Sequence, residues 1–261
     1  MRKTLIAGFA VGIIAALGLA VPANAGTHDD DSAAELWALH AIPDTPVDVY
    51  VDGELVLDDF EPGDLAGPFE LPAGDYEVAL TAADATDASE PILGPQTLSL
   101  DEGANATAVA HLTEEADAAL TLYANDTAAT AEDEGRLTVR HVAAAPAVDV
   151  LADDVAVIED LANPDEATLD LAVGTVSATV ALAGTTEPVL GPTDLEIENG
   201  VLTIVYAWGS AEDDTLALAT QTIPVDGSDS GDCPDRDGGG WHHDGGHDRG
   251  GSHHRSPHHG W

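Results

Sequence analysis

Seven of the eleven histidines in this 261-residue chain crowd into its last stretch: His242, His243, His247, His253, His254, His258 and His259, set among glycine and aspartate. Neutral imidazole is the commonest protein ligand for zinc, copper and nickel. Histidine pairs beside Asp244 and Asp248 on glycine hinges can close around an ion without imposing one geometry. Their irregular spacing predicts weak, multi-site capture of zinc, copper or nickel. Two other readings compete with it. The formal charge of residues 227–261 runs from -3 with neutral histidines to +4 with all seven protonated, so mild acid could dock the tail onto an acidic body. A merely solubilising extension is the third reading.

A second set of candidates recurs in the body. His40 and His141 each end a strand-like run, and each precedes an aspartate, Asp48 or Asp149, inside a Val-Asp-Val triplet. A His/Asp pair could hold a metal or move a proton. The structural alternative has each histidine bonding the following turn while each aspartate faces out between buried valines, as alternation requires; this is the favoured expectation. His111 has Trp208 at its counterpart, which suits a space-filling position better than a ligand.

Enzyme motifs are missing. The chain has no Gly-x-Ser-x-Gly, no His-Glu-x-x-His and no phosphate-cradling glycine loop between a strand and a helix. The acidic runs Asp29-Asp30-Asp31, Asp58-Asp59 and Asp153-Asp154 lack the alternating loop of a calcium hand and read as solvated faces. A lone Cys233 requires the fold to stand without an internal disulfide. The expectation is a non-enzymatic protein that needs no cofactor.

The elements that must position these residues come twice. LWALHAIPDTPVDVYVDGELVLDDF at Leu36 to Phe60 returns as LTVRHVAAAPAVDVLADDVAVIEDL at Leu137 to Leu161, and Glu90 to Pro95 is answered by Glu187 to Pro192. The offset drifts only from 101 residues at His40/His141 to 97 at Gly103/Gly200. A repeat this long means tandem domains, since solenoid units are far shorter. In the first copy, strands are expected at Leu36 to Ala41, Val47 to Val51, Glu54 to Asp58, Phe69 to Leu71, Tyr76 to Ala82, Gln96 to Leu100, Ala104 to Leu112 and Ala119 to Ala124. Asp52-Gly53 is a two-residue hairpin signal, because both positions of a type I′ turn need positive φ. Short alternating strands with Gly/Pro turns and almost no helical pattern predict an all-β protein of two tandem immunoglobulin-like or transthyretin-like β-sandwiches. Few aromatics leave a core of Val, Leu and Ala, thin enough that stability is expected to rest on the two domains leaning on each other, or on salt.

Arg2 and Lys3, an apolar run from Leu5 to Val21 and the A-x-A box at Ala23 to Ala25 predict a secretory signal peptide over residues 1–25. The expected order continues with a disordered leader (26–34), sandwich one (35–128), a linker (129–134), sandwich two (135–225) and a disordered tail (226–261). Forty-nine Asp plus Glu against seven Lys plus Arg give a net charge of -42, and Arg136 and Arg140 are the body's only basic residues. Such a surface repels nucleic acid and anionic lipid.

At the His40 to Gly53 opening and at Leu71-Pro72-Ala73-Gly74-Asp75-Tyr76, the chain resembles the bacterial secreted domain-of-unknown-function family 4397 and, by extension, the carboxypeptidase-regulatory and transthyretin-like sandwiches. The second copy departs at Ala144-Ala145-Pro146, at Asp153-Asp154 and at Val176, where Tyr76 stands in the first. The resemblance implies export and a sandwich, and its motifs carry no catalytic residues. The functional expectation is an exported module of the cell envelope or extracellular space acting on a cell-wall or extracellular partner, without nucleic acid and without membrane association once the signal is removed. Metal capture by the tail is the alternative.

Overall fold

The computed structural model describes residues 33–226, which contain sixteen β-strands and no helix. The expected signal peptide, nearly all of the leader, and the tail with its seven histidines and Cys233 lie outside the described residues. The first copy comprises β1 (Ala34–Ala41), β2 (Val47–Val51), β3 (Glu54–Phe60), β4 (Leu65–Leu71), β5 (Gly74–Ala82), β6 (Leu93–Leu100), β7 (Asn105–Leu112) and β8 (Ala118–Ala124). Each of the eight expected strands has its counterpart there. The second copy comprises β9 (Glu134–Ala144), β10 (Val148–Ala152), β11 (Val155–Leu161), β12 (Glu166–Ala172), β13 (Gly174–Leu182), β14 (Pro188–Ile197), β15 (Val201–Ser210) and β16 (Ala217–Pro224). Ala34, the last residue of the stretch expected as a disordered leader, is buried and opens β1.

Each copy folds as two four-stranded sheets. In the first, β4-β1-β7-β8 faces β3-β2-β5-β6; in the second, β12-β9-β15-β16 faces β11-β10-β13-β14. Strands β1 and β7 run parallel, as do β9 and β15, and the remaining pairs are antiparallel. The alternation of β1 explains its place. Leu36 and Ala38 point into the first sandwich's core with Val49, Leu80 and Leu98, while Trp37, Leu39 and Ala41 point the other way. That other face is also covered: Leu39, Ala41, Val109 and Tyr123 pack against Val142, Leu202, Ile204, Tyr206 and Ile223 of the second sandwich. The inner sheets of the two copies are therefore buried on both faces, which is why β7 and β15 read as nearly unbroken buried runs. The described residues fall within one compact unit with a third core along the seam between the sandwiches.

Turn chemistry sets the hairpins. Asp52 and Gly53 have φ of 51° and 79°, both in the left-handed region that a type I′ turn demands. Their counterparts Asp153 and Asp154 have φ of 48° and 65°, so a residue with a side chain occupies the glycine position in the second copy. Left-handed backbone costs a non-glycine residue up to roughly 1 kcal/mol. Asp154→Gly is therefore expected to stabilise the protein by about 0.5 kcal/mol; a denaturation midpoint that falls would contradict this.

Candidate functional site

The residues singled out for chemistry occupy equivalent places in the two sandwiches. His40 and His141 sit near the ends of β1 and β9, almost fully buried. Nε2–H of His40 donates to the carbonyl of Thr45 at 2.7 Å, and Nε2–H of His141 to that of Pro146 at 3.1 Å. Each imidazole thus fastens the turn that leads into the next strand, as expected. His111 bridges the Leu112 carbonyl and the Thr121 hydroxyl, both at 2.9 Å.

Asp48 and Asp149 correct an expectation. Alternation placed them on the outside, but both are buried, 2% and 7% exposed. The reason is a bulge in the facing strand: Val47 pairs with Phe60 and Val49 with Leu57, so Asp58 and Asp59 together oppose Asp48. Asp59 adopts φ 52°, and its N–H donates to Asp48 Oδ1 at 3.0 Å. In the second copy Asp160, at φ 58°, donates to Asp149 Oδ1 at 2.8 Å, and Gly184 N–H donates to Oδ2 at 2.8 Å. These carboxylates serve the backbone donors of Asp59 and Asp160 at the bulges, and Asp149 also serves Gly184 in the turn after β13. Carboxylate oxygens of Asp48, Asp58 and Asp59 come within 4.8 Å of one another, with Asp58 and Asp59 exposed.

His40 lines one cavity and His141 another, and the cluster of ligand atoms found among the described residues, Asp48 with Asp58 and Asp59, contains neither histidine nor Asp149. A composite His/Asp centre is therefore not assembled by the described residues.

What sequence reasoning missed is the polar centre of the seam. Arg140, 1% exposed, points from β9 into the junction. Its guanidinium donates to Glu166 Oε2 (2.7 Å), the Tyr206 hydroxyl (2.9 Å) and Asn125 Oδ1 (3.0 Å), and lies 4.4 Å from the Tyr123 ring centroid. Tyr206 passes the chain on by donating to Gln221 Oε1 at 2.6 Å, which also accepts from Thr107 of the first sandwich. Tyr123 donates to the Pro164 carbonyl at 2.7 Å, and Asn163 Nδ2 donates to the carbonyls of Leu112 and Ala143. Arg136 binds both carboxylate oxygens of Asp170 and the carbonyls of Asp126 and Ala128, which ties the connecting segment down. The one available signal was that the two cations of an acidic body both fall in the apolar run of β9.

Burial pushes His40, His111 and His141 below their ordinary pKa of 6.5, outweighing the carbonyl hydrogen bonds that pull each upward. The unfolded chain then binds protons that the folded chain does not, so stability is full above about pH 6.5 and is lost progressively as pH falls from there toward the folded values. A thermal midpoint followed in high salt from about pH 8 to about pH 5 should fall, and a flat profile would contradict these assignments. Burial likewise raises the Tyr123 and Tyr206 hydroxyls, which stay protonated donors beside Arg140.

Fold and site together define an all-β double sandwich whose buried titratable groups brace turns, bulges and a seam. Residues 34–151 match the profile of a family described as Domain of unknown function (DUF4397), as the resemblance in the sequence led us to expect. The match covers the first sandwich and continues through β9 and β10 of the second. No curated protein matches the chain.

Proposed function

We propose that this protein is an exported, non-enzymatic interaction or structural module of the cell envelope or extracellular space. The observation that carries the reading is the use made of the side chains best suited to chemistry: His40, His141, Asp48, Asp149 and Arg140 are buried, the histidines bound to carbonyls, the aspartates to backbone amides and Arg140 to the Tyr206 hydroxyl. Both cations of the described body lie within the seam, which leaves an acidic exterior suited to solubility and to cationic or neutral partners rather than to nucleic acid. Among sandwiches, the sheet order favours the transthyretin-like branch, because β1 lies between β4 and β7 and runs parallel to β7. An immunoglobulin sheet instead sets its first strand beside its second. Fractionating cells that make the native chain tests the proposal. Recovery in the envelope or medium, with retention on purified cell-wall material, is the expected result; recovery in the cytosol would overturn it.

The histidine concentration in residues 242–259 favours a second reading, divalent-metal capture outside the cell. Calorimetric titration of zinc and copper into the mature chain, beside a chain ending at Asp226, is the test. Heat that disappears with the tail is expected, and absence of heat from both chains contradicts the reading.

A further inference from the structure

At the Trp208 edge of the seam lies a cleft of about 440 Å³, walled by two connections of the first sandwich and one strand of the second. Pro43, Asp44 and Pro46 come from the segment between β1 and β2, Glu61 and Pro62 from the turn between β3 and β4, and Trp208 from β15. His40 clamps both connections. Its Nε2–H holds the Thr45 carbonyl beside Asp44, its carbonyl accepts from Gly63 N–H at 2.6 Å, and its own N–H donates to the Asp64 carbonyl at 3.1 Å. Gly63 in turn sits against the indole: at φ 87°, a Cβ there would stand 3.0 Å from Trp208 Cζ2. Both sandwiches thus fix the shape of the cleft before anything binds, which lowers the ordering cost of a ligand.

The charge of this cleft is one-sided. Asp44 and Glu61 are exposed, and among the described residues no basic side chain pairs with either; Arg136 and Arg140 are taken by Asp126, Asp170 and Glu166. Prolines and an indole supply most of the remaining wall. A cation is drawn to the electron-rich face of an indole, and a guanidinium adds planar hydrogen bonding to carboxylates. The second copy shows that the fold does not require this set. The ladder registers, with the His40–Asp64 backbone bond repeated at His141–Asp165, align the two copies. Ala145 and Ala162 then stand in the places of Asp44 and Glu61, and His111 in that of Trp208. The same framework is built there without either carboxylate or the indole.

We propose that this cleft binds an arginine side chain displayed by a polypeptide partner, with its guanidinium between Asp44 and Glu61 and against Trp208, and its hydrocarbon stem on the prolines. The proposal rests on the interaction-module reading above and names the chemistry of the partner. A neutral or anionic side chain would leave both carboxylates unanswered.

The test titrates N-acetyl-arginine amide into the chain at about 0.15 M salt, where charges more than about 8 Å apart are screened. The Trp208 indole N–H, followed by heteronuclear NMR, should shift with a Kd of about 1–10 mM. The citrulline analogue, similar in shape without the charge, should bind at least about ten-fold more weakly, and the lysine analogue should fall between them. Asp44→Asn with Glu61→Gln removes two exposed charges without touching the core, and should bring arginine down to the citrulline level. Asp101→Asn with Glu102→Gln removes the same charge just before Ala104, which bonds Glu35 at the opposite end of β1, and should leave the arginine affinity within about two-fold. No shift of Trp208 by arginine up to about 50 mM, equal affinity for citrulline, or an equal loss in the second pair of variants would each overturn the proposal. A shift given by diacetylchitobiose and not by arginine would assign the cleft to a neutral glycan and overturn it likewise. Export is scored separately by fractionation, so failure of that reading and failure of this one are distinguishable.

Discussion

Arg140→Met should destabilise the protein by about 3 kcal/mol, because removing one partner of a buried charged cluster costs about 3–5 kcal/mol. Methionine keeps the length of the stem and part of its packing while every donor is lost. The Tyr206 hydroxyl, Asn125 Oδ1 and the Ala124 carbonyl then face an apolar side chain inside the seam. Glu166 has a side chain 36% exposed and can turn toward water, which places the expectation at the lower end of that range. Arg140→Lys keeps the charge but loses the planar fork that reaches Glu166, Tyr206 and Asn125 together, so it should fall between wild type and methionine. Urea denaturation measures both. A loss below about 1 kcal/mol for methionine would mean that the cluster contributes little beyond filling space.

Ile204→Ala should cost about 2–5 kcal/mol, since it removes a side chain with no exposed surface from the centre of the seam. Its neighbours there include Leu39 and Val109 of the first sandwich as well as Tyr206 and Ile223 of the second. The loss belongs to both copies, so unfolding of the whole body should shift together. A loss confined to signals from the second sandwich would show that the seam does not couple them. Both effects are readable as changes of denaturation midpoint with little change of slope, as long as unfolding stays two-state.

Much of the fold was legible in the sequence because its signals are local. Asp52-Gly53 marks a hairpin by the φ values it permits, and Val47-Asp48-Val49 marks a strand by its alternation. The repeat at His40/His141 then carried the reading from one copy to the other. Asp48 and Asp149 were misplaced because alternation along β2 and β10, which holds, does not report the bulge of the neighbouring strand whose backbone meets them. The seam was only partly legible. A thin core implied either that the domains lean together or that salt supports them, and Arg140 meets Asn125 and Tyr206 across 15 and 66 residues of chain. No periodicity reports such pairings.

Burial of the inner sheets on both faces makes a central claim: the two sandwiches are one cooperative body. Differential scanning calorimetry of the chain near neutral pH tests it most directly. The seam predicts a single transition whose calorimetric and van't Hoff enthalpies agree. Two resolved transitions, or a calorimetric enthalpy about twice the van't Hoff value, would mean that the copies unfold independently and that the core formed by Leu39, Val109, Ile204 and Tyr206 does not couple them.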